Sequence, residues 1–213
     1  MIWHKNWKLE YSVALLIVLG LILYFLPLSF ENTRQANFIS KWNEIYNKAD
    51  YMFQVINAHI TDKTSENFEN ASDPQEREKL LLELVKPYLR INTEKTVSKH
   101  YKPKYMNGAR VYKGQIYYFD DLFFTEHNMI VGIKDLPSYE TKKPAFIMMF
   151  DINGIIPPNT WGKDIFGINI FDNGRREPFG QGLSMGELKQ DCSKSGTGIS
   201  CSYYYKIGGG FTE

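Results

Sequence analysis

The sequence predicts an α+β protein, with a long N-terminal transmembrane/amphipathic helix packed on a small antiparallel sheet. Three observations carry that reading. Tyr11–Phe30 is a run without a single charge, although the chain holds 25 Lys and Arg and 24 Asp and Glu. Apolar residues then recur every three or four positions as far as Ile60. From Arg110 onward the pattern turns to period two and short apolar runs bounded by turn residues.

Composition narrows the function before any motif does. A net charge of +1 argues against holding nucleic acid or an acidic partner by bulk charge. With 43% hydrophobic residues, 14 Tyr and 14 Phe, the chain is not disordered. Its 213 residues suit one globular domain with an appendage.

The elements follow in order. Residues 1–10 read as a cytoplasmic leader, because Lys5 and Lys8 precede the apolar run and positive residues stay inside. Residues 11–30 read as a transmembrane helix, since about 20 apolar residues match the roughly 30 Å of bilayer hydrocarbon. Residues 31–60 continue it as an amphipathic helix, with Phe38, Trp42, Ile45, Tyr46, Ala49, Met52, Phe53, Ile56 and Ile60 on one stripe. Pro27 should kink this helix or loosen one turn. Residues 61–213 read as an exported α+β globular domain, opening with a polar loop over 61–72. Asp73-Pro74-Gln75-Glu76 then predicts a helix start with a capping box, running to about Tyr88. Strands are expected at Ala109–Tyr112, Gln115–Phe119, Phe123–Phe124, Met129–Ile133, Ala145–Asp151 and Gly167–Phe171, with a tyrosine-rich strand before Gly208.

Glu10 at the head of the apolar run, with Pro27 17 residues beyond it, resembles the N-terminal helix of type IV pilins and type II secretion pseudopilins. The stretch Asp151-Ile152-Asn153-Gly154, then Pro158-Asn159-Thr160-Trp161-Gly162-Lys163-Asp164-Ile165-Phe166, is similar to the C-terminal half of a group of prepilin-type proteins. The likeness departs at the processing site. Lys5 stands where the prepilin peptidase needs Gly, and Asn6-Trp7-Lys8 replace Phe-Thr-Leu.

The resemblance implies a pilin-like fold and a structural role. The chain would be a subunit or minor component of a type II secretion or type IV pilus-like system. It would sit in the cytoplasmic membrane as a single-pass protein, with the bilayer and sister subunits as partners and Glu10 and Pro27 serving assembly. The alternative is an uncleaved membrane-anchored binding protein with a pilin-like exported domain. The resemblance also implies a disulfide between Cys192 and Cys201, the only cysteines, which an exported compartment permits.

Little chemistry is legible. Asp151, Asn153 and Asp164 are oxygen ligands on turns and could form part of a calcium site, as pseudopilins have in a C-terminal loop. The match to an EF-hand is poor, and Asn153-Gly154 as a hairpin turn with Asp164 as a cap is the preferred reading. Lys99, Lys102 and Lys104, interleaved with Tyr101 and Tyr105, offer stacking platforms for a single strand, but solvated charge is the commoner outcome and nucleic acid is not the expected partner. The four His are scattered, and no nucleophile, phosphate-loop or zinc motif occurs. The chain is expected not to be an enzyme and, calcium apart, to use no cofactor.

Overall fold

No Gly or Pro interrupts residues 28–59, and their apolar residues fall at helical spacing, so the segment belongs to one long helix, α1 (Trp3–His59). The computed structural model describes residues 3–59, 68, 70, 71, 73–98, 100–136 and 143–211, with the backbone alone for 3–9, 26–29, 31 and 32. Most of the expected polar loop over 61–72 lies outside these residues. The chain divides into two compact units, residues 1–37 and 38–213.

The first unit holds the N-terminal part of α1, which continues as helix through Pro27. Its side chains from Glu10 to Phe25 are all exposed. Here the expected architecture is corrected. Among the described residues, no helix is long and apolar enough to cross a membrane. The transmembrane, pilin-like helix of the sequence-based fold is therefore withdrawn.

The second unit is α+β, and its antiparallel sheet has six strands. Its first element is the part of α1 from Phe38 to His59, where Phe38, Trp42, Ala49, Met52, Phe53 and Ile56 are buried on one face. α2 (Pro74–Leu89) buries Leu81, Leu82 and Val85. The expected Asp73–Glu76 capping box does not form, because the Asp73 side chain makes no cap bond; Arg77 N–H donates to the Asp73 carbonyl instead, at 3.1 Å. Pro74 still suits the first turn, where its missing N–H costs nothing. Arg90, in the left-handed conformation, ends α2.

The sheet is a meander in chain order: β1 (Ile91–Thr96), β2 (Leu122–Thr125), β3 (Ile130–Asp135), β4 (Phe146–Asp151), β5 (Ile165–Ile170) and β6 (Arg176–Pro178). Every neighbouring pair is antiparallel. β4 is buried throughout and alternates between two cores. Phe146, Met148 and Phe150 join the core containing the α1 stripe, while Ile147 and Met149 join a second core around Trp161 and Phe179. A strand covered on both faces reads as an unbroken apolar run, which is what Phe-Ile-Met-Met-Phe is.

Trp42 ties α1 to the sheet. Its ring stacks on Phe166 at 4.9 Å between centroids, and its Nε1–H donates to the Ser202 carbonyl at 2.8 Å. Burying an aromatic side chain of this size contributes about 3 kcal/mol. An ion pair holds α2 to β3: Arg77 Nε donates to Asp135 Oδ1 at 2.9 Å, and Glu78 accepts the Asp135 N–H at 2.8 Å.

Three expectations give way to turns and helices. Residues 109–112 and 115–119 form no strands: Arg110 makes only an isolated bridge to Lys104, residues 116–117 lie in a turn, and Gly108 and Gly114 take positive φ where the backbone bends. The Lys134 ammonium then holds the bend by donating to the Gln115 and Tyr118 carbonyls. The tyrosine-rich segment is helix α4 (Cys201–Lys206), which follows α3 (Met185–Asp191). In α4 the buried residues Cys201, Ser202, Tyr204 and Tyr205 have helical spacing, not alternation.

Candidate functional site

β4 ends at Asp151 and β5 begins at Ile165, and these two residues pair across the sheet. The loop between them must reverse direction while its ends stay in register. Gly154, at φ 68, makes the first bend possible. A Cβ there would also lie 2.2 Å from the Asn128 carbonyl oxygen, so no other residue fits. Asn159 takes the second bend at φ 47, a conformation Asn tolerates better than most residues.

Asp164 fixes that second bend. Its Oδ2 accepts the Asn159 N–H at 2.8 Å and its Oδ1 accepts the Thr160 N–H at 2.6 Å. Its own carbonyl accepts the Ile152 N–H at 2.9 Å, which draws the two ends of the loop together. Asp151 accepts the Tyr101 hydroxyl at 2.7 Å, a bond that brings in a residue 50 positions away. Both carboxylates are fully buried. Burial, then the charge of Asp164, pushes Asp151 well above the ordinary carboxylate range. Burial pushes Asp164 up to about 6, with the Thr160 and Asn159 N–H groups opposing it. Burial and the Asp151 charge likewise raise Tyr101.

The rest of the loop is rich in oxygen. Asn153 Nδ2 donates to the Ile156 carbonyl at 2.8 Å, and Asn153 Oδ1 is a buried atom without a hydrogen-bond partner. The Asn159 amide, oriented to satisfy its neighbours, donates from Nδ2 to the Gly154 carbonyl at 2.9 Å, the Ile156 carbonyl at 3.1 Å and Asp151 Oδ2 at 3.3 Å. Among the described residues, no group of three or more His, Cys, Asp or Glu is placed to hold a metal.

Asp151, Asn153 and Asp164 are thus brought together, joined by two residues that the sequence did not place with them: Tyr101, read there only as a stacking platform, and Asn159, quoted only as part of the Pro158-Asn159 motif. Lys102 and Lys104 are exposed, and Lys99 lies outside the described residues. The Tyr101 hydroxyl donates to Asp151 at 2.7 Å, and the Tyr105 hydroxyl donates to Gln115 at 3.3 Å. Glu10 is exposed, and for Pro27 only the backbone is described.

A second aspartate organises the loop after α3. Asp191 Oδ1 accepts the N–H and hydroxyl of Thr197 at 2.8 and 2.6 Å, and Oδ2 accepts those of Ser200 at 2.8 and 2.7 Å. Burial pushes this carboxyl up, but the bonds from Thr197 and Ser200 outweigh it and hold it below its ordinary value. The disulfide Cys192–Cys201, with Cα atoms 5.4 Å apart, closes the same loop. Compared with protein-family models, curated proteins and solved structures, the chain matches none.

Proposed function

We propose that the chain is a non-enzymatic structural subunit, a component of a type IV pilus-like or type II secretion-like assembly. It is anchored to the cytoplasmic membrane and to sister subunits through the apolar segment of α1, and the unit from residue 38 onward is exported. The observation that carries this reading is the exposure of Tyr11–Phe25, where Leu15, Leu16 and Leu23 are 61%, 68% and 72% exposed. So long an uncharged and exposed run calls for lipid or apolar protein around it. The disulfide supports an oxidising compartment for the second unit.

The test uses the full chain in cells. Leu16→Cys should give disulfide-linked dimers of the chain under mild oxidation, from a membrane fraction that resists alkaline carbonate. A chain recovered in the soluble fraction overturns the anchoring, and membrane-bound chain without cross-links overturns the assembly.

A second reading has its own observation. Lys5 occupies the place of the processing Gly, which favours an uncleaved, membrane-anchored binding protein that does not assemble. Intact-mass spectrometry separates the two: a mature chain beginning at Asn6 supports assembly, and retained leader residues support the binding protein.

A further inference from the structure

We infer that the second unit carries a docking surface for an anionic lipid bilayer, made of Ile155 and Ile156, Tyr112 and the cations Lys102, Lys104 and Arg110. Every residue involved lies beyond residue 38, so the surface is independent of the anchoring role proposed for the apolar segment of α1.

Three segments of backbone run side by side here. Lys104 N–H donates to the Asn159 carbonyl at 3.1 Å, and the Lys104 carbonyl accepts the Trp161 N–H at 2.9 Å. On the other side Lys104 bridges to Arg110, and the Pro103 carbonyl accepts the Val111 N–H at 3.3 Å. The segments cover the second core, to which Val111 and Trp161 belong and which the α1 stripe does not join.

The apolar part of this surface is built outward. Ile155 and Ile156 are 56% and 63% exposed, and Tyr112 is 62% exposed. The backbone beneath the two isoleucines is fixed by Gly154 at positive φ, by the Asn153 amide on the Ile156 carbonyl and by Asp164 on the Asn159 and Thr160 N–H groups. Their exposure therefore belongs to the shape of the loop.

The charge is one-sided. Residues 95–119 and 152–163 contain no Asp or Glu and carry seven Lys and Arg, in a chain whose net charge is only +1. Lys113 pairs with Asp120 at 3.3 Å. Lys102, Lys104 and Arg110 are exposed and have no ion-pair partner among the described residues. Asp151 and Asp164, which bound the second of these segments, are fully buried and present no charge to a partner.

Aliphatic side chains beside unpaired cations, with a tyrosine among them, match the boundary between headgroups and acyl chains. Insertion buries the apolar tip while the cations stay with anionic headgroups, and tyrosine is at home at that depth. A second copy of the same face would set cation against cation. Nucleic acid would use the cations but leave both isoleucines in water.

The experiment takes the full chain with an environment-sensitive NBD label at Ile156→Cys or, as a control, at the exposed Glu83→Cys on α2, which packs on the α1 side of the sheet. The native cysteines are joined to each other, so only the introduced thiol reacts. Each chain is reconstituted with nanodiscs of phosphatidylcholine, with or without phosphatidylglycerol. In anionic discs the label at 156 should shift to the blue and be quenched by spin-labelled lipid. Neutral discs, and the label at 83, should show neither effect. Lys102→Gln with Lys104→Gln should weaken docking about thirtyfold, since each cation near an anionic surface strengthens binding about fivefold. Ile155→Ser keeps every charge and should also reduce quenching at 156. Recovery of the chain with neutral discs reports the α1 anchor and the label reports the surface, so the two readings fail separately. A label at 156 that stays in water in anionic discs overturns the surface, as does equal quenching in neutral discs or at 83. An Ile155→Ser chain quenched as strongly as its parent overturns insertion of the tip. A single-stranded oligonucleotide that binds through Lys102 and Lys104 while the label at 156 ignores lipid assigns the cations to nucleic acid instead.

Discussion

The two aspartate-centred loops of the second unit solve one problem in opposite ways. Around Asp191, two N–H groups and two hydroxyls converge on one carboxylate, and its proton affinity falls below the ordinary value. Around Asp151, the Tyr101 hydroxyl and the Asn153 N–H reach the carboxylate, yet its proton affinity rises. Burial raises both acids, but not equally. Asp151 is fully buried beside a second carboxylate, Asp164, whereas Asp191 is only half-buried, so depth of burial and a neighbouring like charge decide whether the donors around a buried acid prevail.

That contrast can be broken most forcefully at the hub. Asp191→Ala removes the acceptor for four hydrogen bonds and leaves Thr197 and Ser200 donors unsatisfied. Bonds to a charged group contribute about 1.5–3 kcal/mol each when removed singly, and less than their sum together, so a loss of about 4 kcal/mol is expected. Urea unfolding should report it, and an unchanged free energy would mean that other acceptors take over the four donors.

Next in size is the covalent closure of the same loop. Cys192 and Cys201 are separated by nine positions, and linking a loop of that length removes about 2.5 kcal/mol of unfolded-chain entropy. Cys192→Ser should lower Tm by that equivalent under oxidising conditions and leave it unchanged relative to the reduced wild type. If the oxidised and reduced chains already unfold together, the hydrogen bonds of Asp191 alone hold the loop.

The sequence reveals these regions unevenly, for physical reasons. β3, β4 and β5 are legible because strands covered on both faces concentrate apolar residues. β1, Ile91-Asn92-Thr93-Glu94-Lys95-Thr96, is exposed beyond Ile91 and carries no periodic signal. β6 is three residues long and ends in Pro178. α4 misleads because tyrosine favours strands, and its helical burial spacing becomes visible only once the disulfide and the Tyr205–Gly162 hydrogen bond are known. At the site, Asp151 and Asn153 can be suspected from their side chains. The Gly154 and Ile156 carbonyls cannot, because every residue has one and only the bend directs it. Tyr101 joins from another part of the chain. The charge-free run of α1 is the plainest signal in the sequence, yet among the described residues no helix is long and apolar enough to cross a membrane.

A smaller test concerns how the hub loop is entered. Ser184 accepts the Glu187 N–H while Glu187 accepts the Ser184 N–H, a complete capping box at the start of α3. Ser184→Ala should cost about 1 kcal/mol. Urea unfolding checks it, and an unchanged free energy would mean that the box does not hold the start of α3.

The smallest effect is the most diagnostic, because it reads the donors through pH. Asp191 titrates below its ordinary 3.8 in the folded state, so between the two values the unfolded chain binds more protons than the folded one. Its contribution is complete above the unfolded value and is lost as pH falls through the folded value. Wild type and Asp191→Asn should therefore differ in unfolding free energy by a constant amount from about pH 5 to 7, and the gap should narrow below 3.8. The β4–β5 loop is the same in both chains and cancels in the difference. A gap that stays constant to pH 2.5 would show that the asparagine amide satisfies Thr197 and Ser200 as well as the carboxylate does. The loop would then depend on acceptor geometry rather than on charge.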